Sequence, residues 1–108
     1  MARSFSHDLS VSGSPSDVQA RLRGVLIERL RRSAAMRLAS EQPSALSFRP
    51  RWSWPVALAL YRMISGEAVN VRFSAAGGGT QVTVSGKVAA KSEAVADQEF
   101  WAELLGAA

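Results

Sequence analysis

Few side chains in this chain are equipped for chemistry. There is one histidine, His7, and no cysteine. Without thiols, disulfides, thiolate zinc sites, iron–sulfur clusters and cysteine nucleophiles are excluded. One imidazole confines any serine–histidine triad to His7, and a two-histidine metal site cannot form within one chain. His7 lies in the segment Arg3–Ser12, which alternates: Phe5, His7, Leu9 and Val11 fall on one face, Ser4, Ser6, Asp8 and Ser10 on the other. This places His7 on the apolar face. There it reads as a polar contact in a ligand cavity, as a base, or as a core histidine hydrogen-bonded to its surroundings.

Two further charges fall inside apolar stripes. At 100° per residue Arg29 projects between Val18 and Leu22, and Asp97 falls within the stripe of the last helix. They can pair with each other, or Arg29 can hold an anion at a cavity mouth; the plainer roles are a snorkelling arginine and a first-turn or N-cap aspartate. Trp52, Trp54, Trp101 and Tyr61 supply all the indoles and the only phenol. They either fill the core or form the aromatic walls of a pocket between sheet and last helix. The candidate ligand pocket is therefore His7, Arg29, Trp52, Trp54, Tyr61 and Trp101. A second candidate is the basic surface Arg37, Arg49, Arg51, Arg72 and Lys87, expected on the solvated sheet face and suited to phosphates. Single-strand readers add stacking aromatics to such a face, whereas here the aromatics are expected to point inward. Gly77-Gly78-Gly79 has no following Lys-Ser/Thr and opens a strand, so it reads as a turn and not a phosphate loop. No pair of carboxylates suggests acid–base work. We expect no enzymatic activity, no cofactor and no metal.

The elements that position these residues follow from periodicity. Ser14 as N-cap, Pro15 at the first helical position and Asp17 in the first turn begin a helix running to about Arg32, with Val18, Leu22, Val25, Leu26 and Leu30 as its stripe. Met36–Ser40 and Leu46–Trp54 read as strands around the turn Glu41-Gln42-Pro43-Ser44, with Pro50 marking an edge or a bulge. Pro55–Ser65 reads as a short, largely buried helix closed by Gly66. Ala68–Ala75 and Thr80–Val88 form a hairpin across the glycine loop. A last helix is expected over roughly Ser92–Leu105, with Ala94, Phe100, Trp101, Leu104 and Leu105 inward. The order β-α-β-β-(short α)-β-β-α, with every strand alternating, predicts an α+β domain spanning residues 1–108. Its helices pack on one face of a single antiparallel sheet of about five strands.

That order resembles the START-like (polyketide-cyclase-like, helix-grip) superfamily. The residues that carry the resemblance are the opening strand, Val11-Ser12-Gly13-Ser14-Pro15-Ser16-Asp17-Val18 leading into a helix, the Gly-Gly-Thr80-Gln-Val-Thr-Val strand, and the closing amphipathic helix. Members are usually longer, with more strands and a longer last helix, so this chain would be a reduced version. The resemblance implies binding rather than catalysis. The expected ligand is a small apolar molecule or a protein partner, and there is no family-wide catalytic motif to carry over.

Composition bounds the remaining classes. An apolar fraction of 47% with 20% charged residues fits a folded domain and not a disordered chain. Residues 1–90 hold 12 basic and 5 acidic side chains, and residues 91–108 hold Lys91 against Glu93, Asp97, Glu99 and Glu103. A basic body with an acidic tail allows nucleic-acid or polyanion binding, the runner-up function. The preference for arginine and alanine also fits a G+C-rich, bacterial genome. The most apolar run, Trp52–Ile64, is interrupted by Pro55 and Arg62. It is shorter than the roughly 20 residues a membrane span needs. With no apolar leader visible, the expected location is the cytoplasm. The same run is expected to fold over the sheet and close the core or a cavity, with some exposure of Tyr61 or Met63. Otherwise it forms a contact patch through which the protein makes a homodimer or structural homo-oligomer.

Overall fold

The structure is a computed structural model that describes residues 3–51 and 55–106. Five strands form one antiparallel sheet in the order β1-β5-β4-β3-β2. They are β1 (Arg3–Val11), β2 (Met36–Gln42), β3 (Ala45–Pro50), β4 (Ala68–Ala76) and β5 (Gly79–Val88). The helices are α1 (Pro15–Ala34), α2 (Val56–Ile64) and α3 (Gln98–Gly106), with a 3₁₀ segment, Ala90–Ala96, ahead of α3. Fold class and strand count are those expected from the alternation pattern.

The local causes are visible at each boundary. Ser14 Oγ accepts the Asp17 amide at 3.3 Å and Pro15 begins α1. The helix runs past Arg32 to Ala34, where Ala35 adopts a left-handed conformation (φ 50°) and its amide donates to the Leu30 carbonyl. Val18, Leu22, Leu26 and Leu30 are fully buried on the sheet, and Val25 is half-buried beside them. The β4–β5 hairpin turns on Gly77 (φ 55°) and Gly78 (φ 84°) between the paired residues Ala76 and Gly79. Positive φ at both central positions is the mirror-image turn that suits the twist of two strands, and only glycine adopts it without steric cost. Val69, Val71 and Phe73 of β4 and Val82, Val84 and Val88 of β5 face the helices, with Leu46 and Phe48 of β3. These side chains and α1 build one core, completed by Val95, Trp101 and Leu104.

Other elements differ from the sequence expectation. β2 runs on to Gln42, where it pairs with Ala45, so the turn is Pro43–Ser44 and not Glu41–Ser44. β3 ends at Pro50, and the expected continuation through Trp52–Trp54 lies outside the described residues; Pro50 is buried opposite Met36, and the next amide, Arg51, turns to the Ala35 carbonyl at 3.0 Å. Pro50 thus terminates a strand that is not at an edge. The last helix is two pieces, because Asp97 is extended (φ −83°, ψ 139°) between the 3₁₀ segment and α3. α2 is present and lies against β3, but it is largely exposed and not buried. No helix of the described residues is long and apolar enough to cross a membrane.

Candidate functional site

Of the six pocket candidates, Trp52 and Trp54 lie outside the described residues and Tyr61 is on α2. His7, Trp101 and Arg29 are linked in a row through the rings of Phe5 and Phe100. His7 and Trp101 are tied to backbone carbonyls. His7 is half-buried on β1, and its Nε2 lies 2.7 Å from the Ala96 carbonyl. A carbonyl only accepts, so Nε2 carries the proton and donates it. Trp101, fully buried on α3, donates its indole N–H to the Val95 carbonyl at 2.7 Å. The Phe5 ring bridges the two, with its centroid 5.9 Å from His7 and 6.3 Å from Trp101. Phe100 meets Trp101 edge-on at 5.3 Å, and the Arg29 guanidinium lies 5.2 Å above the Phe100 ring.

This chain of contacts joins β1, α3 and α1. It engages the Trp101 indole N–H and the His7 Nε2, and every buried polar side-chain atom among the described residues has a partner. Asp97 does not pair with Arg29; its carboxylate is 3.5 Å from Arg3, which also bonds Glu93 at 2.9 Å. The arginine in the stripe is held by a ring, and the aspartate by the strand edge.

Of the basic candidates, Arg37, Arg49, Arg72 and Lys87 lie in the strands on the outer sheet face and Arg51 follows the end of β3; they do not form one patch. Arg37, Arg49, Arg51 and Arg72 are exposed and Lys87 is half-buried. Arg37 stands directly opposite Arg49, whereas Arg72 pairs with Ala45, four residues along β3. At about 3.4 Å per residue that separates Arg72 from Arg49 by roughly 13 Å. Between them the face is small and polar, with Ser40, Ser47, Asn70, Thr83 and Ser85 around a shallow groove of about 480 Å³. The aromatic side chains Phe5, Phe48 and Trp101 belong to the opposite face and are buried there.

The strongest surface feature is α2. Leu58 (45%), Leu60 (45%), Tyr61 (68%) and Ile64 (84%) are its exposed large apolar side chains. The inner side of the same helix is anchored by a group the sequence reading passed over. Arg62, counted there only as a break in an apolar run, is buried. Its Nε donates to Glu67 Oε1 at 3.1 Å and its NH2 group to the Ala34 carbonyl at 2.6 Å, at the C-terminal end of α1. Gly66 (φ 80°) turns the chain so that Glu67 comes back under the helix. At 100° per residue Leu60 and Ile64 project opposite Arg62. The ion pair therefore fixes α2 with its most apolar residues facing water. The available signal was an arginine inside an apolar helix with a glutamate just beyond the closing glycine.

No family model matches the chain, and no curated protein matches it. Among solved structures it is similar to the solution structure of an Aha1 dimer from Colwellia psychrerythraea. The TM-score is 0.61, with 97% of this chain and 92% of that one covered. The fold is helix-grip-like. At 10% identity the likeness extends to the fold and not to side chains that could be carried over.

Proposed function

We propose that this protein is a small, non-enzymatic START-like binding domain of the bacterial cytoplasm that engages a protein partner through α2, and that the partner is a second copy of the chain. One observation carries the reading: four large apolar side chains are exposed on a nine-residue helix that a buried ion pair holds in place. Together they amount to on the order of several hundred Å² of apolar surface, the range in which a patch on a monomer is commonly functional. The structural neighbour is a dimer, which supports self-association over capture of an unrelated protein. A two-fold interface needs one self-complementary patch, and an apolar helix packing against its own copy is such a patch. The small-ligand reading is weaker, because the indole N–H of Trp101 and Nε2 of His7 are already bonded to backbone carbonyls.

Light scattering across a concentration series tests this. The wild type rises to dimer mass as concentration increases. Leu60→Asp, at an exposed position, remains a folded monomer at every concentration. A wild-type chain that is monomeric up to millimolar concentration would remove the proposal.

A further inference from the structure

The two edges of the sheet are treated differently. β2 is short, its register shifts between Leu38 and Ser40, and it is strapped to α1: Arg23 pairs with Glu41 at 2.8 Å and Gln19 donates to the Gln42 carbonyl at 2.9 Å. A bulge with charged neighbours is how proteins blunt an edge. β1 has no such device. Its nine residues pair with β5 in unbroken register, and among the described residues β5 is its only strand neighbour. An edge strand leaves alternate backbone N–H and C=O groups pointing away from the sheet. The first half of β1 is covered at its ends by the Arg3–Glu93 pair and the His7–Ala96 hydrogen bond. The second half is not covered in this way. Asp8, Leu9, Ser10, Val11 and Ser12 form one wall of a groove of about 540 Å³. The other wall is α3, through Gln98, Ala102 and Leu105. Those positions are i, i+4 and i+7, one face of the helix.

We propose that the groove between β1 and α3 binds an extended peptide segment of another protein, which adds to the sheet as a sixth strand. A row of unpaired donors and acceptors at strand spacing is satisfied by another strand, and a helix beside the edge supplies the surface that reads its side chains. The four strand residues of that wall, Asp8 to Val11, span about 14 Å, within the range of ordinary strands. Leu9 and Val11 are half-buried and Ala102 is exposed on the facing helix, so the groove takes apolar side chains at alternate peptide positions. Arg21 closes the Ser12 end, donating to the Ser12 carbonyl at 3.0 Å with the rest of its guanidinium exposed. It complements a carboxylate there, from an acidic side chain or a peptide C-terminus. The site is at the opposite edge of the sheet from β2, β3 and the α2 patch packed on β3, so it stands or falls apart from self-association.

The test pans a phage-displayed library of random nine-residue peptides against the full-length chain. A selected synthetic peptide is then titrated into isotope-labelled protein. Selected sequences carry apolar residues at alternate positions. Amide shifts concentrate in residues 8–12 and 98–106, and the β1 amides facing away from β5 gain hydrogen-exchange protection. Ala102→Glu, an exposed position, weakens binding at least tenfold, while Leu60→Asp leaves it unchanged. Peptides with an amidated C-terminus and peptides lacking acidic residues separate the two carboxylate sources, and Arg21→Ala weakens whichever binds. A library yielding no binder, shifts confined to α2, or an Ala102→Glu variant that binds as well as wild type would overturn the proposal.

Discussion

Replacing Glu67 with alanine is the sharpest test of how α2 is held. The Arg62 and Glu67 side chains are 10% and 3% exposed, so the pair is desolvated. Removing the carboxylate leaves a buried guanidinium whose remaining partner in the fold is the Ala34 carbonyl. Breaking a buried pair from one side costs about 3–5 kcal/mol, because the surviving charge keeps its desolvation penalty without its partner. A domain of this size has a total stability of about 5–15 kcal/mol, so the variant loses at least about a fifth of it. With a urea m-value of about 2 kcal/mol/M the midpoint falls by roughly 1.5–2.5 M. The assay is urea unfolding followed by tryptophan fluorescence and by far-UV circular dichroism, which must coincide for the number to have meaning. Arg62→Met with Glu67→Leu restores most of the loss, since an apolar pair of similar volume carries no desolvation cost. A midpoint shift under about 0.5 M for Glu67→Ala would refute the reasoning, and would mean that α2 is not pinned and that its exposure is not enforced.

A double-mutant cycle on Arg29 and Phe100 gives a coupling of about 0.5–1 kcal/mol by denaturation, the scale of a partly exposed cation–π contact. The cycle on Arg29 and Asp97 gives none, because Asp97 belongs to Arg3. Gly86→Ala destabilises by more than 1 kcal/mol in the same assay, because the added methyl collides with the Ala68 backbone carbonyl on the neighbouring strand. Glu28 is held below the ordinary carboxylate range by its hydrogen bonds from Arg31 and by the charges of Arg31 and Arg32. A folded pKa below the unfolded one gives stability that is complete above the unfolded value and is lost as pH falls through the folded one. Carboxyl-carbon NMR titration therefore places Glu28 below the ordinary glutamate value, and Glu28→Gln lowers stability at neutral pH while leaving it unchanged in strong acid, so the acid limb becomes shallower.

What the sequence disclosed was whatever depends on neighbours a few residues away. The alternation in β1, the Ser14–Pro15–Asp17 start of α1 and the glycine turn of the β4–β5 hairpin are local, and each produced its element. The break at Asp97 was hidden because the alanine-rich run Ala90–Ala96 preserves an apolar stripe on either side of it; Arg3, from the other end of the chain, pairs with its carboxylate. The fate of α2 was hidden for a related reason. An apolar run without clean period states that surface exists and not whether another element covers it. The Arg62–Glu67 pair that orients it also depends on Ala34, which is distant in sequence. The same limit applies to the candidate pocket: His7, Arg29 and Trp101 share an inward face as read, but inward placement does not distinguish a lining from a filled core. Tyr61, grouped with them by type alone, belongs to α2.

Isotope-filtered NOE spectroscopy on an equimolar mixture of labelled and unlabelled chains reads directly whether α2 meets its own copy. Intermolecular cross-peaks are expected from the Ile64 and Leu60 methyl groups and the Tyr61 ring to α2 of the other chain, lost in Leu60→Asp. A dimer whose intermolecular cross-peaks all lie on other elements, with none from α2, would contradict self-association through α2.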